Sequence, residues 1–507
     1  MITFKRVKGQ RSKVEEKNKQ MNNYRSKPIV LLIAFVLSWA CSDMLDLNPR
    51  DSLSTETAFT RIEDYENAVL GGYEAMRSSS YYGGFMQLIP DVLTDNLILC
   101  KDGRTSYNAF FNWDYTSGTF GIEGLWLVGY NAINRVNNVI VRLEGDNNPF
   151  IGTDDEAKSR ALLGEAYAIR ALIHFDLVRF FAEAYNFAQE GSPGIPVMKE
   201  PVVSLPSRDP VTQVYEQISQ DLNRARTLLE NVNHPNWRIG PRVVAGLQSR
   251  VYLTMNRYDR VIETAAATIA GDGSDLSSIS TFRDIWRQNT GQEIMLRIPI
   301  LNTDPQILGN VFGQGQFTGG SGHRAEYVPS FSFFNLYLDN DIRKQTYFLT
   351  ADYQNRRYNF IQKYAGRTGA PANKTDAILM RRAEIYLNLS EAYYFEGDQE
   401  SALSLLNALR RARYADFVDG QESGSILLAA IYLERRLELA FEGFRFFDFK
   451  RQGLPIIRDN FGDESDGGGL APLFTLLLPD DHRLQLPIPQ AEILANPNMQ
   501  QNPNYGD

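Results

Sequence analysis

Residues 376–413 read DAILMRRAEIYLNLSEAYYFEGDQESALSLLNALRRAR. Apolar side chains recur at helical spacing in the first half, at Ile378, Ile385, Leu389, Ala392 and Tyr393. Gly397-Asp398 breaks the run, and Ala402, Leu405, Leu406 and Leu409 take up the same period. Two such runs joined by a few turn residues predict an antiparallel helical hairpin. Alanines at 383, 392, 402 and 408 would let the two helices approach closely. The hairpin has the arithmetic of a tetratricopeptide-like unit, without that repeat's full signature. One hairpin cannot cover both of its apolar stripes, so partner hairpins must lie elsewhere in the chain.

Working outward, Pro241 opens VVAGLQSRVYLTMNRYDRVIETAAATI, whose Asn256-Arg257 turn parallels Gly397-Asp398. Val211 to Leu229 is amphipathic and follows a proline-rich connector ending at Asp209-Pro210, a helix start. The longest predicted helix covers 154–183, with Leu162, Ala166, Ile169, Ile173, Leu177 and Phe180 in one stripe and Asp154-Asp155-Glu156 suited to its N-terminus. Before it, LWLVGYNAINRVNNVIVRL turns Trp126, Tyr130, Ile133 and Val136 or Asn137 inward. Ser54-Thr55-Glu56 caps a first helix running to about Arg77. The hairpins therefore fall at about 56–77, 123–183, 210–270 and 376–450. The stretches between them, about 78–122, 271–375 and 452–507, are rich in Gly, Ser and aromatic residues and lose the helical period. Strands are expected at Glu293 to Pro299 and around Tyr358 to Tyr364, with a glycine-rich LGNVFGQGQFTGGSGH between them. A short strand is also expected in the closing LQLPIPQAEILANPNMQQNPNYGD, and GDESDGGG at 462–469 reads as a flexible loop. An insertion as long as 271–375 is usually functional. The expected fold is mainly α: a tetratricopeptide-like helical repeat scaffold with a loop-rich ligand-binding half and a few short β strands.

The first 40 residues carry nine Lys or Arg and two Glu. Setting them aside leaves 43 basic and 59 acidic side chains of the 52 and 61 in the chain, a net charge of −16. So acidic a body argues against nucleic acid or anionic membrane surfaces as partners. Four histidines lie far apart, at 174, 234, 323 and 482, without HExxH or CxxC companions, which argues against a metal site. Two cysteines, Cys41 and Cys100, make no disulfide framework.

Residues 1–20 are polar and basic. Met21, a possible true start, opens NNYRSK and then a 12-residue apolar run from Ile29 to Ala40. That length suits a signal-peptide core and is too short for a spanning helix. Cys41 follows the small Ala40 directly, the arrangement of lipoprotein processing, in which the thiol is acylated and the chain is cut before it. Residues 1–40 are thus read as signal peptide, 41–55 as a lipidated tether, and 56–507 as a single domain. Two or three acyl chains anchor durably at about 0.8 kcal/mol per buried methylene. The only cofactor expected is that covalent lipid on Cys41.

Two constellations could carry function. Glu434, Glu438 and Glu442 are four apart, as along one helix face, but Arg435 and Arg445 lie near enough to keep such acids ionised. A structural ion-pair network is the expectation there, not a general acid. The aromatic loops are the second. Tyr81, Tyr82, Trp113, Tyr115, Trp286 and Phe331 sit in segments that a helical core does not need, with polar groups such as Asn96 nearby. Flat side chains displayed on loops suit stacking on sugar rings or apolar peptide groups, so these seven residues are the candidate ligand set.

Several segments together resemble the SusD/RagB family of outer-membrane lipoproteins. They are the acylatable Cys41, WLVGYNAINRVNN, RRAEIYLNLSEAYYFEGDQESALSLLNALRRAR, YLERRLELAFEGFRFFDFKRQG and the terminal LPIPQAEILANPNMQQNPNY. The residues before Cys41 and Phe449, where leucine is usual, depart from the family pattern. The resemblance implies a four-repeat helical scaffold packed against a loop-rich half that carries the ligand site. It implies a cell-surface lipoprotein that captures oligosaccharide or peptide without chemistry and delivers it to a SusC-like TonB-dependent outer-membrane transporter. The alternative is a scaffold lipoprotein that stabilises the transporter without touching substrate. Ligand residues vary across the family, so none is carried over.

Overall fold

Hairpins whose helices each bury one stripe must stack in sequence, and the computed structural model of the protein has that order. It describes residues 58–305, 307–312 and 326–506. The predicted signal peptide, Cys41, the tether at 41–55, the Ser54-Thr55-Glu56 cap and most of the glycine-rich stretch lie outside the described residues. Backbone contacts divide the chain into residues 1–64 and 65–507. Of the first unit only 58–64 are described. There the Asp64 carboxylate accepts from the backbone N–H groups of Thr60 and Arg61, which hold its pKa below the usual carboxylate value.

In chain order the main elements are α1 (Ile62–Met76), α2 (Phe85–Val92), β1 (Leu97–Leu99), α3 (Ile122–Leu143), α4 (Glu156–Phe181), α5 (Val211–Leu229), α6 (Pro241–Thr254) and α7 (Tyr258–Ala265). Then come β2 (Ile294–Ile298), β3 (Tyr327–Pro329), β4 (Phe348–Tyr353), β5 (Arg356–Ile361) and β6 (Ala377–Arg381). The chain ends with α8 (Arg382–Phe395), α9 (Gln399–Arg411), α10 (Gly424–Glu438), α11 (Arg445–Gln452), β7 (Ile456–Ile457) and β8 (Leu476–Leu477). Helices α3 to α10 pack in succession, each against its sequence neighbour in the stack, and α8 also lies against α6 and α10. The strands form only two-stranded antiparallel ribbons, β1 with β3, β2 with β6, β4 with β5 and β7 with β8. The core is therefore helical, with small ribbons on it.

Local chemistry explains the main hairpin. Asn256 and Gly397 take left-handed φ of 54° and 87° at equivalent places in the α6–α7 and α8–α9 turns, where Gly and Asn are tolerated. Asp398 then caps α9 by accepting from the Ser401 N–H at 3.0 Å. Ala383, Ala392, Ala402 and Ala408 are all buried, and Ser390 donates across the hairpin to the Ala402 carbonyl at 2.7 Å. Close approach is also required at Gly246 of α6, where a Cβ would sit 2.4 Å from Met380 Sδ.

Four expectations need correction. Ile378 is not on a helix; Ala377–Arg381 is wholly buried strand, paired with Ile294–Ile298. A short, continuously apolar run carries no period by which to tell strand from buried helix. Residues 78–121 are not all loop, because α2 forms there despite Pro90. Pro90 offers no N–H to the Met86 carbonyl, and Gly443, at φ 82°, passes so close that a Cβ would lie 2.4 Å from that oxygen. Glu442 does not continue the face of Glu434 and Glu438, because α10 ends at Glu438 and Phe441 turns the chain at φ 65°. The buried Asp91 carboxylate accepts from Phe441 and Gly443 N–H and fixes that turn; burial raises its pKa to about 6. The closing segment holds a 3₁₀ turn at His482–Leu484 in place of the expected strand, and Leu486 N–H docks on the Phe180 carbonyl.

Candidate functional site

A loop-rich half cannot borrow a helical stripe for its core, so it must fill its interior with large side chains from irregular segments. Those side chains then need internal partners for their polar atoms. Five of the seven candidate residues meet that requirement, whereas the buried indole N–H of Trp286 has no partner among the described residues. Tyr81 and Tyr82 are enclosed, and both hydroxyls donate to Oδ2 of buried Asp176, at 3.2 and 2.7 Å. Asn96 is buried between Asp91, to which it donates, and Arg436, from which it accepts at 2.9 Å. Trp113 donates its indole N–H to the Leu93 carbonyl, with the Arg458 guanidinium 3.9 Å above its ring. Tyr115 donates to the Arg483 carbonyl and stacks on Phe110 at 5.4 Å. Trp286 is 1% exposed and lies under Lys363 and Arg381, 4.6 and 5.3 Å from its ring centroid. The expectation that these side chains are displayed is thus corrected for six of the seven. Phe331 alone stays half-buried at the surface.

The carboxylate row is also interior, and its partners are not the arginines adjacent in sequence. Arg381 of β6 reaches Glu293, Glu438 and Glu442 at 2.6, 2.8 and 2.6 Å. Arg413 joins Glu293 to Glu438, and Arg343 joins Asp341, Glu434 and Glu438. Arg435 and Arg445 serve Asp448 and Asp95 instead. Burial would raise the Glu438 pKa, but Arg413, Arg381 and Arg343 outweigh it and hold the group well below the usual carboxylate value. Lys363, which pairs with Glu442 at 2.7 Å, is pushed down by burial to about 8. Glu438 and Glu442, the latter held down by Arg381 and Lys363 against its burial, stay ionised and enclosed, as a structural lattice requires. The lattice ties the 271–375 insertion, through Glu293, Asp341, Arg343 and Lys363, to β6, α10 and the turn that follows α10.

Accessible aromatic surface lies elsewhere in the loop-rich half. Phe331 packs against Phe461 with ring centroids 4.9 Å apart, and Phe461 is 47% exposed. Ser332 N–H and Phe461 N–H both point to the Asp459 carboxylate beside the pair. The neighbouring β7–β8 ribbon alternates cleanly: Ile456 and Leu477 face in, while their neighbours Ile457 and Leu476 face out at 61% and 54% exposure. The nearby Asp463 carboxylate is buried and accepts from Lys101 N–H and Leu470 N–H, fixing the base of the 462–469 loop. Phe461 was missed in the sequence; its one signal is an aromatic side chain at the edge of a Gly/Asp loop. Trp237 was missed too. Trp113, Trp126 and Trp286 are buried, whereas Trp237 stands partly exposed over a cleft of about 420 Å³ lined by Asn67, Glu74 and Arg77. Cys100 is buried with its thiol pushed by burial to about 12, which leaves it unreactive. Among the described residues no group of His, Cys, Asp and Glu is arranged to hold a metal ion, and no helix is long and apolar enough to cross a membrane.

Residues 299–505 match the model of the SusD family, and residues 53–253 match a family described as starch-binding and associating with the outer membrane. The chain is 28% identical to SusD-like protein P2 of Formosa agariphila, over 96% of this chain and 100% of that protein. Among solved structures it is similar to a SusD superfamily protein of Bacteroides thetaiotaomicron, with 27% identity and a TM-score of 0.75 over 88% of this chain and 100% of the other. A Bacteroides vulgatus protein described as a candidate sugar-binding protein gives 26% identity and a TM-score of 0.78, over 89% of this chain and 100% of its own.

Proposed function

The chain belongs to the SusD/RagB family, whose members bind nutrients and associate with the outer membrane, and we propose on that footing that it captures oligosaccharide or peptide at the cell surface. It hands the captured molecule to a SusC-like TonB-dependent transporter, is held to the outer membrane by lipid on Cys41, and performs no chemistry on its cargo. The observation that carries this reading is the extent of the likeness, which spans the whole length of a SusD-like relative and of sugar-binding structural neighbours. The Phe331–Phe461 pair supports it as the ligand platform, being aromatic, accessible and flanked by the Asp459 carboxylate. The ion lattice supports binding over catalysis, since carboxylates held ionised and enclosed by arginine are poor general acids.

Titration calorimetry against a panel of glycans and peptides tests the proposal, with Phe331→Ala/Phe461→Ala as the variant. Aromatic face contacts contribute about 0.5–1.5 kcal/mol each, so losing both should weaken binding roughly tenfold to a hundredfold. Unchanged affinity in the double variant would remove this platform. The enclosure of six of the seven candidate residues, five of them aromatic, favours the second reading, a scaffold that steadies the transporter and touches no substrate. Co-purification with the barrel, together with no heat from any ligand in the panel, would establish that reading instead.

A further inference from the structure

A hollow of about 470 Å³ opens between the short helical turn Asp284–Arg287 and the turn at 365–372, within the long insertion. That volume lies in the range of about 300–1,000 Å³ usual for small-molecule sites. Its lining contains the guanidinium groups of Arg283, Arg287 and Arg367 and a single carboxylate, Asp284. Arg283 makes no side-chain hydrogen bond or ion pair with any described residue, and Asp284 pairs with none of the three arginines. Arg287 donates only to carbonyls, those of Gly366 and Gln362, at 3.3 and 3.4 Å. Arg367 pairs with Asp376, but that carboxylate is shared with Arg297 outside the hollow. Four guanidinium groups thus face two carboxylates, an excess of two positive charges in a body that is otherwise strongly acidic. Burial, and then the neighbouring Arg283, push the Arg287 pKa below its ordinary value, as expected where cations are crowded without a counter-charge.

We propose that this hollow is an anion subsite that takes the carboxylate or sulfate group of an acidic oligosaccharide. Guanidinium groups match both anions with paired, charge-assisted donors, which makes arginine suited to planar or tetrahedral oxyanions. Thr368, whose hydroxyl oxygen accepts from Gln288 Nε2 at 3.0 Å, has its own proton left for a sugar hydroxyl at the same rim. A long polyanion would be repelled by the acidic body, whereas a short acidic sugar meets only the local charge. The inference rests on the nutrient-capture reading and narrows its ligand class.

Oligogalacturonides, sulfated carrageenan oligosaccharides, neutral gluco-oligosaccharides and inorganic sulfate, each titrated into the intact protein at low and high salt, form the test. At least one acidic series should bind more tightly than the neutral one and weaken with salt; which of the two does so separates uronate from sulfate ester. Arg283→Ala, which removes no bond seen in the structure, should weaken that binding roughly tenfold and leave thermal unfolding unchanged. Arg283→Ala/Arg287→Gln should abolish the salt dependence. Neutral sugars binding as well as acidic ones, or unchanged affinity in Arg283→Ala, would overturn the anion subsite and leave nutrient capture standing. Failure of every oligosaccharide to bind would overturn the anion subsite and leave nutrient capture to be decided by the peptides of the wider panel, and uptake of inorganic sulfate alone would reduce the hollow to an adventitious ion site.

Discussion

The 271–375 insertion uses arginine in two opposite ways. In the lattice, Arg343, together with Arg381 and Arg413 from outside the insertion, is fully enclosed, and each touches two or three carboxylates. In the hollow, Arg283 is exposed and has no carboxylate partner among the described residues, Arg287 is half-buried and meets only carbonyls, and Arg367 shares Asp376 with Arg297. A buried charge without a partner costs several kcal/mol, so the lattice arginines persist only because each is matched. At the rim water supplies the solvation, so an unmatched guanidinium is tolerated and remains free to meet an outside anion. Pairing, rather than residue type, separates the charge that holds the fold from the charge available to a ligand.

The sharpest way to break this comparison is to unpair the lattice. Arg381→Met leaves Glu293, Glu438 and Glu442 enclosed with fewer donors. Removing one partner of a buried ion pair typically costs about 3–5 kcal/mol. Denaturant unfolding of the variant should show a loss of that order. A loss below about 1 kcal/mol would mean that the enclosed carboxylates find water or a proton, and that the lattice is not what ties the insertion to the helices.

A second buried titratable group gives a pH-dependent version of the same logic. His174 in α4 accepts from Met198 N–H through Nε2, and its Nδ1 has no partner among the described residues. Burial, and then the charge of Arg170, lower its pKa from 6.5 to about 3. Between those values the unfolded chain binds a proton that the folded chain refuses, so stability falls as the pH drops through 6.5 and stops falling on this account near 3. From about pH 7 to about pH 5 the loss from this one group should be about 2 kcal/mol. His174→Gln keeps an acceptor for Met198 and should lose that part of the acid dependence. Identical pH profiles for the variant and the parent chain would refute the assignment.

How much of this was readable in the sequence depends on whether a segment carries a period. The 154–183 expectation and the observed Glu156–Phe181 differ by two residues at each end, because one long stripe and an acidic start mark the helix unmistakably. Asn256 and Gly397 were legible as turns because each interrupts such a stripe. The strands at 294–298 and 356–361 were found between turn residues, where β-branched and aromatic side chains cluster. The partners of the glutamate row were not found, since Arg343, Arg381 and Arg413 reach it from distant segments while the adjacent Arg435 and Arg445 turn elsewhere. Loop aromatics have no period at all, so nothing distinguished Trp286, walled in under two cations, from Phe461, half in water. The hollow was equally invisible: Arg283 and Arg367 are brought together only when the insertion folds back on itself.

The smallest expected effect discriminates best, because its sign differs between the two regions. If Arg283 were a structural residue with a partner outside the described contacts, removing its charge should destabilise the protein, as at Arg381. If it is held without a counter-charge beside Arg287, removing the charge relieves a repulsion between two cations. Like charges in contact near a surface cost a few tenths of a kcal/mol, and substitutions of exposed, unbonded side chains normally stay within about 0.5 kcal/mol. Arg283→Gln should therefore leave stability unchanged or raise it slightly in low salt, and the gain should vanish as salt screens the pair. Denaturant midpoints measured at two ionic strengths read that sign directly. A clear loss of stability in low salt would place Arg283 with the lattice arginines, and the hollow would no longer hold a charge to spare for a ligand.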